Sequence, residues 1–151
     1  MKIRMAEEGD HMFLVREYLQ YFSPHIEEAK RYAELNLTCD RTWLMEEDGL
    51  ILGTLSWGAR EGVHSGIAQL TGLRIIPSRR RQGLAGTLLQ AGLEDMASYF
   101  ADRAASLRRV FAFAPEDQPG AGPLLQAYGF HPLHRLDGWR EDGVGEWFYV
   151  R

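Results

Sequence analysis

The chain has 151 residues, 45% of them hydrophobic and 25% charged, the profile of a single globular domain spanning 1–151. That composition excludes a disordered or collagen-like chain. Seventeen Lys and Arg against 21 Asp and Glu give a net charge of −4, with no basic block longer than Arg79-Arg80-Arg81, so a dedicated nucleic-acid binder is not expected. One cysteine, Cys39, allows no internal disulfide and no thiolate zinc site. The charged N-terminal segment has no apolar signal core. No run approaches the ~18 apolar residues of a membrane span. The expectation is a cytoplasmic protein with no membrane partner.

Lys2 to Ala6 reads as a strand and Glu7-Glu8-Gly9-Asp10 as a turn. Asp10 is placed to cap a helix in which Leu14, Val15, Tyr18, Leu19 and Phe22 recur at helical spacing. Ser23-Pro24 restarts the pattern, with a capping hydroxyl, proline at the first helical position and Glu27 and Glu28 in the first turn. This second helix should run to about Leu35. Arg41 to Glu47 and Leu50 to Trp57 read as a hairpin joined at Asp48-Gly49, with Gly53 marking a bulge or a close backbone approach.

After a loop from Glu61 to Gly66 comes a strand from Ile67 to Ile76, ended by Pro77. The basic stretch Ser78 to Gln82 leads to Gly83, which opens a helix carrying Leu84, Leu88, Leu89, Gly92, Leu93 and Met96 on one face. Val110 to Ala114 reads as a buried strand. Pro115 to Pro123 reads as a loop, and Leu124 to Tyr128 as a short helix capped by Gly129. Phe130 to Leu136 and Gly145 to Arg151 read as closing strands. Helices on a mixed sheet, an α/β (α+β) fold, follow from this order.

The sharpest local feature is the strand, proline, basic loop, glycine and helix that run from Leu73 to Leu89. Its physics suits an anion. Unpaired amides at a helix start point outward, the dipole favours negative charge, small residues admit a phosphate, and arginines add charge-assisted contacts. A solvated basic loop before a glycine-started helix is the competing reading. The Walker ending Gly-Lys-Ser/Thr is missing, and no dinucleotide glycine fingerprint follows a strand.

At these residues the chain resembles the GNAT superfamily of acyl-CoA-dependent N-acyltransferases. Arg80-Arg81-Gln82-Gly83-Leu84-Ala85 matches the family's R/Q-x-x-G-x-G/A pyrophosphate loop, and Leu73 to Pro77 resembles the strand before it. Ile3-Arg4-Met5-Ala6 with Asp10 is similar to the family's first strand and turn. Gln118 to Phe130, retaining Ala121 and Gly129-Phe130, resembles its closing segment. The resemblance implies a mixed, mostly antiparallel sheet splayed between strands four and five, with helices on both faces.

It also implies acetyl-CoA as the cofactor, although a longer acyl donor stays open. The pantetheine arm would lie between strands four and five, bonded by backbone groups near Leu73 and Ile75, with an amide near Leu73 polarising the thioester carbonyl. The amides of Arg81, Gln82, Gly83, Leu84, Ala85 and Gly86, with the Thr87 hydroxyl, would hold the pyrophosphate. Arg80 in the loop motif and Gln118, which stands at the family's usual asparagine position with an amide of longer reach, are further cofactor-binding candidates. The implied reaction is direct attack on the thioester by the amine of a small molecule or peptide. Homodimers are common in the family.

The acid and base positions depart from the family pattern. Gln69 stands where some members carry a glutamate base, with Thr71 two residues on, and Leu125 stands where many carry a tyrosine acid. Tyr128, nearly one helical turn beyond Leu125, is the hydroxyl on that helix able to serve the thiol, with packing under Phe130 as the competing reading. His64 and Glu61 are candidates for a water-mediated base or surface loop residues. These departures leave a catalytically silent acyl-CoA-binding module as the alternative function. Tyr18, Tyr21, Phe22, Tyr32, Trp43 and Trp57 are candidates for an acceptor wall or for the core. His131 and His134 lie three apart on a strand and so on opposite faces, and no metal is expected.

Overall fold

The computed structural model describes residues 1–151. Seven strands form one sheet: β1 (Lys2–Met5), β2 (Arg41–Glu47), β3 (Leu50–Ala59), β4 (Ile67–Ile75), β5 (Arg109–Pro115), β6 (His131–Leu136) and β7 (Glu146–Val150). Their order is β1-β2-β3-β4-β5-β7-β6. Every pair is antiparallel except β4 with β5. Four helices complete the fold: α1 (His11–Tyr21), α2 (Ile26–Thr38), α3 (Leu84–Asp102) and α4 (Ala121–Ala127).

Alternation along β3 decides which helix meets which face. Thr54 and Ser56 project toward α1 and α2, where they hydrogen-bond Glu17 and Asn36. Leu55 and Trp57 project the other way, against Gly92, Tyr99 and Phe100 of α3. The main core lies on that second side, with Trp57, Phe100, Phe130, Leu88 and Met96 fully buried. A smaller core of Leu14, Val15, Ala29 and Ala33 joins α1 to α2, where the two alanines, one turn apart, admit a close helix pair.

Two capping expectations are corrected. Asp10 does not cap α1: its carboxylate takes the Arg4 guanidinium (2.8 and 2.9 Å) and the Glu7 amide (2.7 Å), because a charged fork offers more than a helix amide. The second helix starts at Ile26 rather than at Pro24, since Ser23 Oγ accepts the His25 amide and closes a turn first. It also runs on to Thr38, with the Asn36 amide and the Thr38 hydroxyl bonding the carbonyls of Tyr32 and Glu34 in its last turns. Helix α4 begins at Ala121, three residues early, because Pro123 falls in its first turn where no amide hydrogen is needed.

Gly53 shows both expected features. Leu52 is the extra residue of a bulge against β2, where Met45 pairs with Gly53 and Glu46 with Ile51. A Cβ at Gly53 would stand 2.5 Å from Ile75 Cδ1 and 3.0 Å from the Arg74 carbonyl. A second bulge falls at Thr71, since Ser56 pairs with Gly72 and Trp57 with Leu70.

Candidate active site

The site begins where two strands part company. β4 pairs with β5 only through Ile67–Arg109, Ala68–Val110 and Gln69–Phe111, while β5 continues to Pro115 along β7. From Leu70 to Ile75 the edge of β4 facing β5 is therefore unpaired. The Ile76 amide donates to Leu52 on the β3 side. Backbone alternation then turns the amides of Leu73 and Ile75 to the opposite edge, into the gap. Pairing sets this geometry: no side chain is needed to hold the two amides there.

The gap leads to the start of α3. Arg81 (φ 61°) and Gly83 (φ 77°) both adopt the left-handed conformation, which curls the loop into the helix. Six successive backbone amides, Arg81 to Gly86, donate no hydrogen bond within the chain. A helix start leaves up to four such donors, so this concavity is richer than usual. The macrodipole of the 19-residue α3 adds positive potential there.

The three arginines before it divide their work. Arg79 bonds Glu47 Oε2 (2.7 Å) and Gln82 Oε1 (3.1 Å), and Arg80 Nε bonds the Ile75 carbonyl (3.0 Å). Both are thus engaged in fastening the loop to β2 and β4. Arg81 alone is exposed without a partner. The Thr87 hydroxyl, expected to face an anion, donates instead to the Gly83 carbonyl (3.2 Å), the usual back-bond of a threonine inside a helix.

Toward α4, Leu125 is buried in the core. The Tyr128 hydroxyl lies against Gly86, 2.6 Å from where a Cβ would stand, so it borders the same first turn of α3 and has no hydrogen-bond partner. Gln118 is exposed in the preceding loop, where its amide bonds the Pro115 carbonyl and its side chain bonds nothing.

On the α1–α2 face of β4, Gln69 accepts from Arg60 Nε (2.8 Å), and the Thr71 hydroxyl donates to Asp40 Oδ2 (3.2 Å). His64 and Glu61 are exposed on the loop before β4, without a hydrogen bond to that strand. Phe111, Phe113 and Phe148 form a contiguous aromatic patch across the gap, with Trp139 stacked on Phe113 at 6.2 Å. Of the aromatic residues read as a wall or a core, Trp43 and Trp57 bond Asp95, and Tyr21 and Phe22 stack on Arg74.

Two groups were missed at the sequence level. Asp40 brings a carboxylate to the bulge of β4 from the end of α2. Glu17 is buried inside α1 and accepts the hydroxyls of Tyr32 (2.8 Å) and Thr54 (2.6 Å), with Arg74 at 3.5 Å. Burial and the Glu17 charge push the Tyr32 phenol well above its ordinary pKa, so it remains a donor to Glu17. The available signals were a glutamate between Val15 and Tyr18 on an apolar helix face and a lone arginine in Leu73-Arg74-Ile75-Ile76.

Residues 11–130 match the model of the acetyltransferase (GNAT) family. That match spans most of the chain, and the chain belongs to this family. No curated protein sequence matches it significantly. Among solved structures it is similar to a ribosomal-protein-alanine N-acetyltransferase from Brucella melitensis, with TM-score 0.78 and 17% identity over 100% of this chain and 99% of that one. It is likewise similar to Arabidopsis thaliana NAA60 in complex with a bisubstrate analogue, with TM-score 0.76 and 16% identity over 99% and 96% of the two chains. A Staphylococcus aureus N-acetyltransferase gives TM-score 0.76 and 19% identity over 99% and 96%. At these identities the likeness is one of fold.

Proposed function

We propose that this chain transfers an acetyl group from acetyl-CoA to a primary amine. The observation that carries the proposal is the unpaired edge of β4 leading to six free amides at the start of α3. An extended amide-bearing arm can pair with that edge as a strand would, and a diphosphate suits the amides of Arg81 to Gly86, with Arg81 adding charge. Acetyl-CoA supplies an activated acetyl thioester, which a neutral amine cleaves to an amide and a free thiol.

The roles of the chain's own groups follow from their placement. The Leu73 amide, fixed in the gap, is assigned to the thioester oxygen; a donor of this kind contributes about 2.7–4 kcal/mol when charge develops on that oxygen. The Ile75 amide is assigned to the arm. An alkyl ammonium with a pKa near ~10 must lose a proton before attack, and Asp40 beside Thr71 is the carboxylate toward which that proton leaves, through water. Tyr128, with its hydroxyl unengaged beside the first turn of α3, is assigned to protonate the departing thiolate. Positioning supplies the rest of the rate.

Free-thiol release from acetyl-CoA against a panel of amines, beside calorimetric titration of acetyl-CoA, tests the reading. Acceptor-dependent release with binding is expected. Binding without release across the panel would favour a silent acyl-CoA sensor. In Gly83→Asp the new side chain meets no neighbour, but it sits at a left-handed φ of 77° that strains any L side chain, so the loop loses its shape as well as gaining a charge. The new carboxylate should abolish acetyl-CoA binding by occupying the loop amides and repelling the diphosphate. Unchanged affinity would remove the pyrophosphate assignment.

A further inference from the structure

A cavity of about 220 Å³ lies between α1 and the paired strands β3 and β4, with Arg74 in its wall beside Glu17, Arg16, Gln20 and Tyr21. Arg74 projects to this side because it pairs with Thr54, whose hydroxyl reaches Glu17 there. Its side chain is only 19% exposed. Its guanidinium carbon lies 4.6 Å from the Tyr21 ring centroid and 4.7 Å from that of Phe22. Such ring contacts use the face of a guanidinium and satisfy none of its five N–H donors.

The Arg74 side chain makes no hydrogen bond of normal geometry within the chain, although its guanidinium neighbours the Tyr32 hydroxyl and Glu17. Its one carboxylate neighbour, Glu17 Oε1, is 3.5 Å away and already receives the Tyr32 hydroxyl, while Oε2 receives Thr54. Glu17 therefore holds the guanidinium in place without using up its donors. The remaining polar groups of the cavity, Arg16 and Gln20, also offer N–H donors. A half-buried, planar, charged fork with unspent donors, fixed by aromatic contacts, matches a carboxylate in its own plane. Arg74 is also the chain neighbour of Leu73, whose amide faces the gap.

We propose that Arg74 binds a carboxylate of the acceptor, so that the preferred substrate is a small amine bearing a carboxylate, an amino-acid-like molecule. This rests on the acetyl-transfer reading above. The cavity is smaller than the ~300–1,000 Å³ clefts that take drug-sized ligands, which favours a compact metabolite over a peptide. The carboxylate makes and breaks no bond. It stays ionised on Arg74 while the N–C bond forms, the C–S bond of the thioester breaks, the amine proton leaves through water toward Asp40 and the thiolate takes its proton from Tyr128.

The test pairs each N-acetyl amino acid with its carboxamide in calorimetric titrations of the full chain, and each amino acid with its amide in thiol-release assays. The carboxylate form should bind at least tenfold more tightly and show at least tenfold higher kcat/KM. Arg74→Gln should erase that difference and leave acetyl-CoA affinity unchanged, and Arg74→Lys, which keeps the charge but not the fork, should recover only part of it. Equal affinity for carboxylate and carboxamide in the unmodified protein, or binding of neither, overturns the proposal without reference to any variant. An N-acetyl dipeptide that binds more tightly than the N-acetyl amino acid overturns the small-molecule assignment. Titration of the acetylated products needs no CoA, so failure of acetyl-CoA to bind would strike the earlier reading and be distinguishable from failure here.

Discussion

At Asp95 of α3 a single carboxylate accepts two bonds from Arg41 (2.8 Å each) and the indole N–H groups of Trp43 (2.9 Å) and Trp57 (2.8 Å). One side chain thus fastens α3 to β2 and β3. Burial alone would raise its pKa, but the bonds from Arg41, Trp43 and Trp57 outweigh burial and hold it below the ordinary carboxylate range. A carboxyl depressed on folding contributes stability that is fully present above its unfolded pKa of about 3.9, and that is lost as pH falls through the folded value. Asp95→Asn should therefore cost about 2–4 kcal/mol at pH 7, with the gap to the parent narrowing in strong acid. Urea unfolding at pH 7 and in acid checks this; a deficit of the same size at both would show that the charge is not what matters.

Helix α3 depends on how closely it can lie on the sheet. A Cβ at Gly92 would stand 2.7 Å from both Leu55 Cδ atoms, and Leu55 is fully buried. Gly92→Ala would gain about 1 kcal/mol of helix propensity and lose about 1–3 kcal/mol to overpacking. The expected net is a destabilisation of up to about 2 kcal/mol, seen as a lower Tm; a raised Tm would mean that Leu55 yields freely. The helices and strands were largely legible in the sequence, because periodicity, Asp48-Gly49 and Pro77 act over a few residues. The loop at Gly83 was legible as an anion-binding helix start from its own residues, whereas the unpaired edge was legible only through family resemblance. What escaped was long-range. Nothing local in the basic stretch announces that Arg79 is held by Glu47, 32 positions away. Glu17, Tyr32, Thr54 and Arg74 come from four separate elements, and no local pattern brings them together.

For the molecule as a whole, a ligand that bridges β4, the loop and α3 binds only the folded chain. Acetyl-CoA at 100 times its Kd should add about 2.7 kcal/mol, which for a chain of this length raises Tm by roughly 5–10 °C. Gly83→Asp should melt without that increment. Thermal scans with and without acetyl-CoA measure both, and an equal rise in the variant would place the ligand elsewhere.

The position of β7 carries a consequence for how the protein is made. It is the last strand in the sequence, yet it lies inside the sheet, between β5 and β6. While a ribosome is still extending the chain, β1 to β4 can assemble from adjacent hairpins and one returning strand. β5 can already pair with the start of β4, but β6 must wait for residues 146–150, since it has no other partner. The far wall of the gap is thus finished only once Val150 has cleared the exit tunnel. A nascent chain can show the loop at Gly83 early, but the cleft beside that loop waits for β7.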